Sequence, residues 1–245
     1  MESYLIIEKW VAYFFIYCFI GWCFESTYVS IKSRRLVNRG FLRGPFLPIY
    51  GFGAIIILLA TLLVTWSIPL IFLCGMIAAT LLEYVTGAVM ESMFSMKYWD
   101  YSNQRFNIKG YICLSSSIAW GVFSVLLVKV VHVPVAGFVE NMNKTLLGVI
   151  ILVVAAVTAV AFVFSFMNAV DFRKILVYQD AVKKELAELS ERISETREAF
   201  SGMANEKQRE YFARQEERIS ALKLALDAVR FKAEKFSKSI IRSFP

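Results

Sequence analysis

The sequence predicts an all-α polytopic membrane bundle of about five transmembrane helices, followed by a C-terminal cytoplasmic antiparallel coiled-coil hairpin. Three observations predict it. Of 245 residues, 58% are hydrophobic and the mean hydropathy is +0.56, more apolar surface than one soluble core of that length hides. Apolar runs of spanning length recur as far as residue 170 and then stop. From residue 171 onward heptads with a charged exterior replace them. Charge divides at the same place: residues 1–170 hold eleven Lys or Arg and seven Asp or Glu, residues 171–245 sixteen and thirteen. The chain is therefore expected to have a transmembrane domain, 1–170, and a cytoplasmic helical hairpin, 171–245.

Spans are expected near 10–31, 46–65, 68–90, 110–131 and 145–170, each of about 20 residues or more, enough for a hydrocarbon core of roughly 30 Å. The fourth opens on Gly110-Tyr-Ile-Cys-Leu-Ser-Ser-Ser117, polar enough to be partly re-entrant or to line a cavity. The first connection carries Lys32, Arg34, Arg35, Arg39 and Arg43, the third Lys97, Arg105 and Lys109, and the fifth span is followed by Arg173 and Lys174. Thr65 to Ser67 has no charge, and the stretch from His132 to Lys144, read as an external loop, has only Glu140 and Lys144. The alternation places the N-terminus outside and the C-terminus in the cytoplasm. Met1 to Lys9 lacks a basic n-region and no cleavage pattern follows, so the first span is expected to stay in the membrane.

Several function classes lose their footing. The net charge of +7 invites nucleic acid, but in the membrane part the basic residues sit between apolar runs, where orientation explains them. Cys18, Cys23, Cys74 and Cys113 lie in or beside apolar runs without a CxxC pair and read as packing residues. With His132 the only histidine, Ser-His or Cys-His catalysis and His-rich metal sites have almost nothing to work with. No metal, no cofactor and no catalytic residues are assigned, and an enzyme is not expected.

Topology turns two acids into a spatial statement. Glu25 and Glu83 lie on helices running the same way, each roughly 9–11 Å inside the cytoplasmic boundary at about 1.5 Å per residue, so they share a level. An ionisable group in hydrocarbon costs at least a few kcal/mol and normally marks a functional site, the alternative being a neutralised structural acid. Beside them, the stretch from Asn38 to Gly53 holds two Pro and four Gly, which exclude a regular helix for about ten residues. Arg39 and Arg43 supply charge there, Tyr50 stands at the span entrance, and the third connection offers Glu91, Trp99, Asp100, Tyr101 and Asn107. Together Glu25, Arg39, Arg43, Tyr50, Glu83, Glu91, Trp99, Asp100 and Asn107 read as a substrate-binding site open to the cytosol. The competing reading makes Trp99 and Tyr101 interfacial anchors and the arginines determinants of orientation only.

In the tail, Ile175, Val182, Leu189 and Thr196 alternate with Gln179, Leu186, Ile193 and Phe200. After a break at Ser201 to Asn205, Phe212, Ile219, Leu226, Ala233 and Ile240 alternate with Gln215, Leu222, Val229 and Phe236. Two such seams joined by a short link argue for a hairpin. Its returning end carries Arg230, Lys232, Lys235, Lys238 and Arg242, a set suited to anionic lipid headgroups at about 1 kcal/mol per charge. Dimerisation or a cytosolic partner is the other use of such a hairpin.

Five segments resemble a bacterial family, the ABC-transporter permeases of the CmpB type. They are Gly21-Trp-Cys-Phe-Glu25, Asn38 to Gly53, Leu82-Glu-Tyr-Val-Thr-Gly87 with Glu91, Trp99-Asp-Tyr-Ser102, and Asn107 to Cys113 continuing to Trp120-Gly121. The resemblance covers about residues 13–125 and leaves the hairpin outside. It implies a multi-pass protein of the bacterial cytoplasmic (inner) membrane assigned to transport. The chain has no GxxxxGK[ST] phosphate loop, so a separate ATPase subunit would be required. The other functions considered are an intramembrane lipid-handling enzyme and a membrane scaffold or sensor that recruits partners through the hairpin.

Overall fold

The computed structural model describes every residue except 1, 39, 43, 96, 200–205 and 242–245, and omits the side chains of 2–5, 198–199, 207–208 and 235–241. The expectations for Arg39, Arg43, Phe200, the break at Ser201 to Asn205 and Arg242 fall outside the described residues, as do those for the side chains of Lys235, Phe236, Lys238 and Ile240. The described residues form helices α1 (Glu2–Ser33), α2 (Pro48–Thr61), α3 (Ile68–Phe94), α4 (Leu114–Leu126), a π-helical turn (Leu127–Val131), α5 (His132–Asn141), α6 (Lys144–Ala199) and α7 (Glu206–Ile241). They divide into two compact units, Met1–Met167 and Asn168–Ile241.

Among the described residues, four helical stretches are long and apolar enough to cross a membrane: Ile6–Ser33, Ile68–Phe94, Leu114–Asn141 and Lys144–Arg197. The expected second span is a shorter apolar helix, Pro48–Thr61, of 14 residues. Pro48 supplies the fixed φ that suits a first helical turn, and the Asn38 to Gly53 segment is irregular only before it. Few side chains of α3, α4 and the apolar part of α6 are buried, and large apolar ones such as Leu73, Leu81, Val122 and Leu152 are exposed. That much exposed hydrocarbon is at home in lipid and not in water.

Small residues set the close approaches within the first unit. Tyr50 of α2 lies across Gly21 of α1, Cys18 and Phe14 of α1 lie across Gly51, and Ser124 of α4 lies across Gly75 of α3. A Cβ at any of these three glycines would collide with its neighbour. Ile71, Gly75, Ala79, Glu83 and Gly87 are all buried, the face of α3 that repeats every four residues.

The fourth span departs from expectation at both ends. Gly110 to Cys113 is not helical, and α4 begins at Leu114. The helix then continues through the π turn and α5 to Asn141, so His132 belongs to a helix rather than an external loop. Its Nδ1 lies 2.7 Å from the Tyr17 hydroxyl of α1, and its ring meets Tyr13 edge-on at 5.1 Å. The charge-poor stretch looked like a loop because Pro134 follows; proline is tolerated in a helix's first turn, and α5 restarts at His132 after the π turn. Tyr17→Phe is expected to lower stability by about 0.6–1.5 kcal/mol through loss of this one intramembrane hydrogen bond, read as a drop in thermal midpoint in detergent.

In the second unit the seam positions are the less exposed ones. Ile175, Gln179, Leu186, Leu189, Ile193 and Thr196 are half-buried and Val182 is buried, as are Phe212, Gln215, Ile219, Leu222, Leu226, Val229 and Ala233 to the half-buried level, while their flanking neighbours are mostly exposed. Glu185 and Arg218 pair across the two helices at 3.8 Å. That exposed pair contributes little by itself.

Candidate functional site

Each of the two acids, half-buried Glu25 and buried Glu83, is gripped by a side chain from the helix that returns next in the chain. Glu25 of α1 accepts a hydrogen bond from the Tyr50 hydroxyl of α2 at 2.8 Å. Glu83 of α3, only 6% exposed, accepts from three donors: Trp120 Nε1 of α4 at 3.0 Å, Ser116 Oγ at 3.2 Å, and the Tyr101 hydroxyl at 3.2 Å. The rings of Tyr50 and Trp120 then meet, centroids 6.0 Å apart, so the two acids belong to one cluster.

The returning helices start well inside the length of the helices they follow. Leu47, just before α2, donates its backbone N–H to the Cys18 carbonyl of α1 at 3.0 Å, fifteen residues before the end of α1 at Ser33. Ser116 and Trp120 meet Glu83 eleven residues before α3 ends at Phe94, about 16 Å along the helix. The described residues of segments 34–47 and 95–113 therefore fold back along the cluster instead of standing away from it.

Loop 95–113 owes this path to its own hydrogen bonds. Trp99 Nε1 donates to the Tyr111 carbonyl at 2.8 Å, Tyr101 N to the Gly110 carbonyl at 2.9 Å, and Ile108 N to the Ile112 carbonyl at 3.0 Å. Asn107 donates to the Ser102 and Gln104 carbonyls at 3.1 and 2.8 Å and accepts from Gly110 N at 3.3 Å. Asp100 accepts from the Ser102 N–H and hydroxyl, with Lys97 3.6 Å away, and these donors hold its carboxyl below the ordinary carboxylate range. Burial pushes the Tyr98 phenol up to about 12, and burial with the adjacent Glu83 charge raises that of Tyr101. A phenol raised in the folded state stabilises the fold fully below its unfolded pKa and loses that contribution as pH climbs. Tyr98 is thus expected to ionise near 12 in a spectrophotometric titration, stability falling between about 10 and that value.

Gly110 carries φ +75°, and a Cβ there would approach the Asp100 carboxylate and sit 2.6 Å from Ser102 Oγ. Gly110→Ala is expected to cost about 1–2 kcal/mol and to loosen the loop around Trp99, observed as a lower thermal midpoint and faster proteolysis between residues 97 and 110.

Of the residues expected to form a site, Glu25, Tyr50 and Glu83 come together. Glu91 lies two turns farther along α3, and its carboxylate beside the Tyr111 phenol raises that group's pKa. Trp99, Asp100 and Asn107 spend their polar groups on shaping the loop. Arg39 and Arg43 lie outside the described residues. Two partners of Glu83 were missed as site residues, Ser116 and Trp120; a signal existed, since an indole N–H in an apolar run needs an acceptor. Among the described residues no group of three or more His, Cys, Asp or Glu is placed to hold a metal ion.

Among the described residues, four apolar helices long enough to span a bilayer, with the acid Glu83 buried between them, mark a helical membrane protein. The chain belongs to the family described as "Putative ABC-transporter type IV", the CmpB type, which matches residues 12–166. The match takes in the first unit almost entirely and stops before the second. No curated protein and no solved structure matches the chain.

Proposed function

We propose that this chain is the membrane-embedded permease component of a transporter, with a polar site that opens toward the cytosol and a separate ATPase subunit that drives it. The observation that carries the reading is the joined cluster Glu25–Tyr50–Trp120–Glu83 between apolar helices. Carboxylates inside such helices are costly, and proteins keep them where a polar substrate or ion is handled. Family membership points the same way. Positive charge at Lys32, Arg34, Arg35, Lys97, Arg105 and Lys109 assigns the two inserted segments to the cytoplasmic side of an inner membrane, with the N-terminus outside. Arg39 and Arg43 contribute to substrate contact in this reading, together with Glu25, Tyr50 and Glu83, while Glu91, Trp99, Asp100 and Asn107 shape the entrance.

The half-buried heptad stripes of α6 and α7 support an antiparallel coiled-coil hairpin in the cytoplasm, available to an ATPase, another cytosolic protein or a second copy of the chain. Its basic end, Arg230, Lys232, Lys235, Lys238 and Arg242, suits anionic headgroups. Purification in mild detergent followed by mass spectrometry tests the reading: a copurifying ATPase subunit is expected, and its absence from every preparation would remove the transport assignment. Labelling of a cysteine at Leu36, which is 99% exposed, tests orientation, since modification by an impermeant maleimide in intact cells would invert it.

A further inference from the structure

The two acids have the same neighbours in the same order. Counting back from each, a phenylalanine stands eleven residues earlier, Phe14 before Glu25 and Phe72 before Glu83. Each returning helix carries an aromatic followed by glycine, Tyr50-Gly51 in α2 and Trp120-Gly121 in α4. In both cases the aromatic donates a hydrogen bond to the acid, at 2.8 and 3.0 Å. In both cases the phenylalanine ring covers the glycine: a Cβ on Gly51 would lie 2.8 Å from Phe14, and one on Gly121 2.5 Å from Phe72.

Contacts between the halves are reciprocal too. Leu82, the residue before the second acid, lies beside Gly53, three residues after the first aromatic: its Cδ2 would be 3.8 Å from a Cβ there. Phe24, the residue before the first acid, meets Phe123, three residues after the second aromatic, with ring centroids 5.7 Å apart. Residue i of one half touching j of the other, and j touching i, is the signature of a two-fold axis. The equivalent residues Tyr50 and Trp120 meet each other, as residues next to that axis must.

We infer that the first unit contains an internal duplication: α1–α2 and α3–α4 are two parallel copies of one long helix, inserted segment and shorter return helix, related by an axis along the membrane normal through the Tyr50–Trp120 contact. The segment between acid and aromatic is longer in the second copy, 37 positions against 25, because α3 runs farther past its acid, loop 95–113 is longer than 34–47, and Trp120 sits deeper in α4 than Tyr50 does in α2. The two copies are not equally close across the interface: α2 lies directly along α3, whereas α4 stands farther from α1, with Phe123 at the place that matches Gly53. Glu25 and Glu83 are then equivalent halves of one site at the interface between the copies, and each holds the return helix of its own copy. This inference stands independently of the transport reading.

Cross-linking of the full-length chain tests it, with the four native cysteines replaced by Ala or Ser. The reciprocal pairs Phe24→Cys with Phe123→Cys, and Leu82→Cys with Gly53→Cys, are both expected to join through a short bifunctional thiosulfonate within one chain. The mixed pair Phe24→Cys with Gly53→Cys is expected to join at least tenfold less. Linkage of only one reciprocal pair, or efficient linkage of the mixed pair, would overturn the duplication. A second measurement exchanges the donors. Tyr50→Phe and Trp120→Phe should lower the thermal midpoint by amounts within about twofold of each other, and the double exchange Tyr50→Trp with Trp120→Tyr should recover most of the loss. A loss confined to one copy, or no recovery on exchange, would count equally against it.

Discussion

Glu83→Ala is expected to destabilise the first unit by about 2–4 kcal/mol, because the Trp120 N–H and the Tyr101 and Ser116 hydroxyls lose their common, buried acceptor. The two hydroxyls recover part of the loss by rotating; Ser116 already lies 3.0 Å from the Cys113 carbonyl. The indole N–H has no such freedom. Glu83→Gln should cost nearer 1 kcal/mol: its carbonyl oxygen still receives Trp120, and its NH2 can donate to the Tyr101 oxygen. Thermal unfolding of the three proteins in one detergent separates these outcomes. Equal midpoints for Ala and parent would mean that the acid holds nothing in place. Under the proposed function, Gln should also impair transport while leaving the fold largely intact.

Gly21→Leu is expected to have an effect of similar size by a different route. Tyr50 Cβ and Cγ occupy the space a side chain at position 21 would need, and atoms so near the backbone cannot swing aside. Overpacking of this kind costs about 1–3 kcal/mol, and displacing Tyr50 also breaks its hydrogen bond to Glu25. Gly21→Ala should show a smaller form of the same lesion. The comparison with Tyr50→Phe is informative, since that change removes the hydrogen bond alone. If Gly21→Leu matches Tyr50→Phe in thermal midpoint, the close approach of α1 and α2 contributes nothing of its own.

Much of this protein can be read from one-dimensional patterns because lipid imposes them. A run of about 20 apolar residues declares a spanning helix without reference to its neighbours, which is why α1, α3 and the apolar part of α6 were anticipated. The heptads of 171–245 work similarly, since a period of 3.5 specifies which side of a helix is covered, and the half-buried positions of α6 and α7 follow it. Glu25 and Glu83 stood out because charge is rare among such residues. His132 was misplaced because a proline beside a polar residue reads as a loop, and only the Tyr13 and Tyr17 side chains of another helix show it to be inside one.

Sequence by itself therefore determined that the chain is a helical membrane protein with a polar, heptad-patterned tail, and that two acids lie in its apolar part, because hydrophobicity and periodicity act locally along the chain. Tertiary structure alone decided that α2 and α4 begin deep beside the helices before them, that Trp120 and Ser116 serve Glu83, and that the two halves meet at Tyr50 and Trp120. Those facts depend on hydrogen bonds and glycine contacts between residues 25 to 37 positions apart or more. No local pattern encodes such partners; they are fixed only when one helix packs against another and a buried donor must find its acceptor.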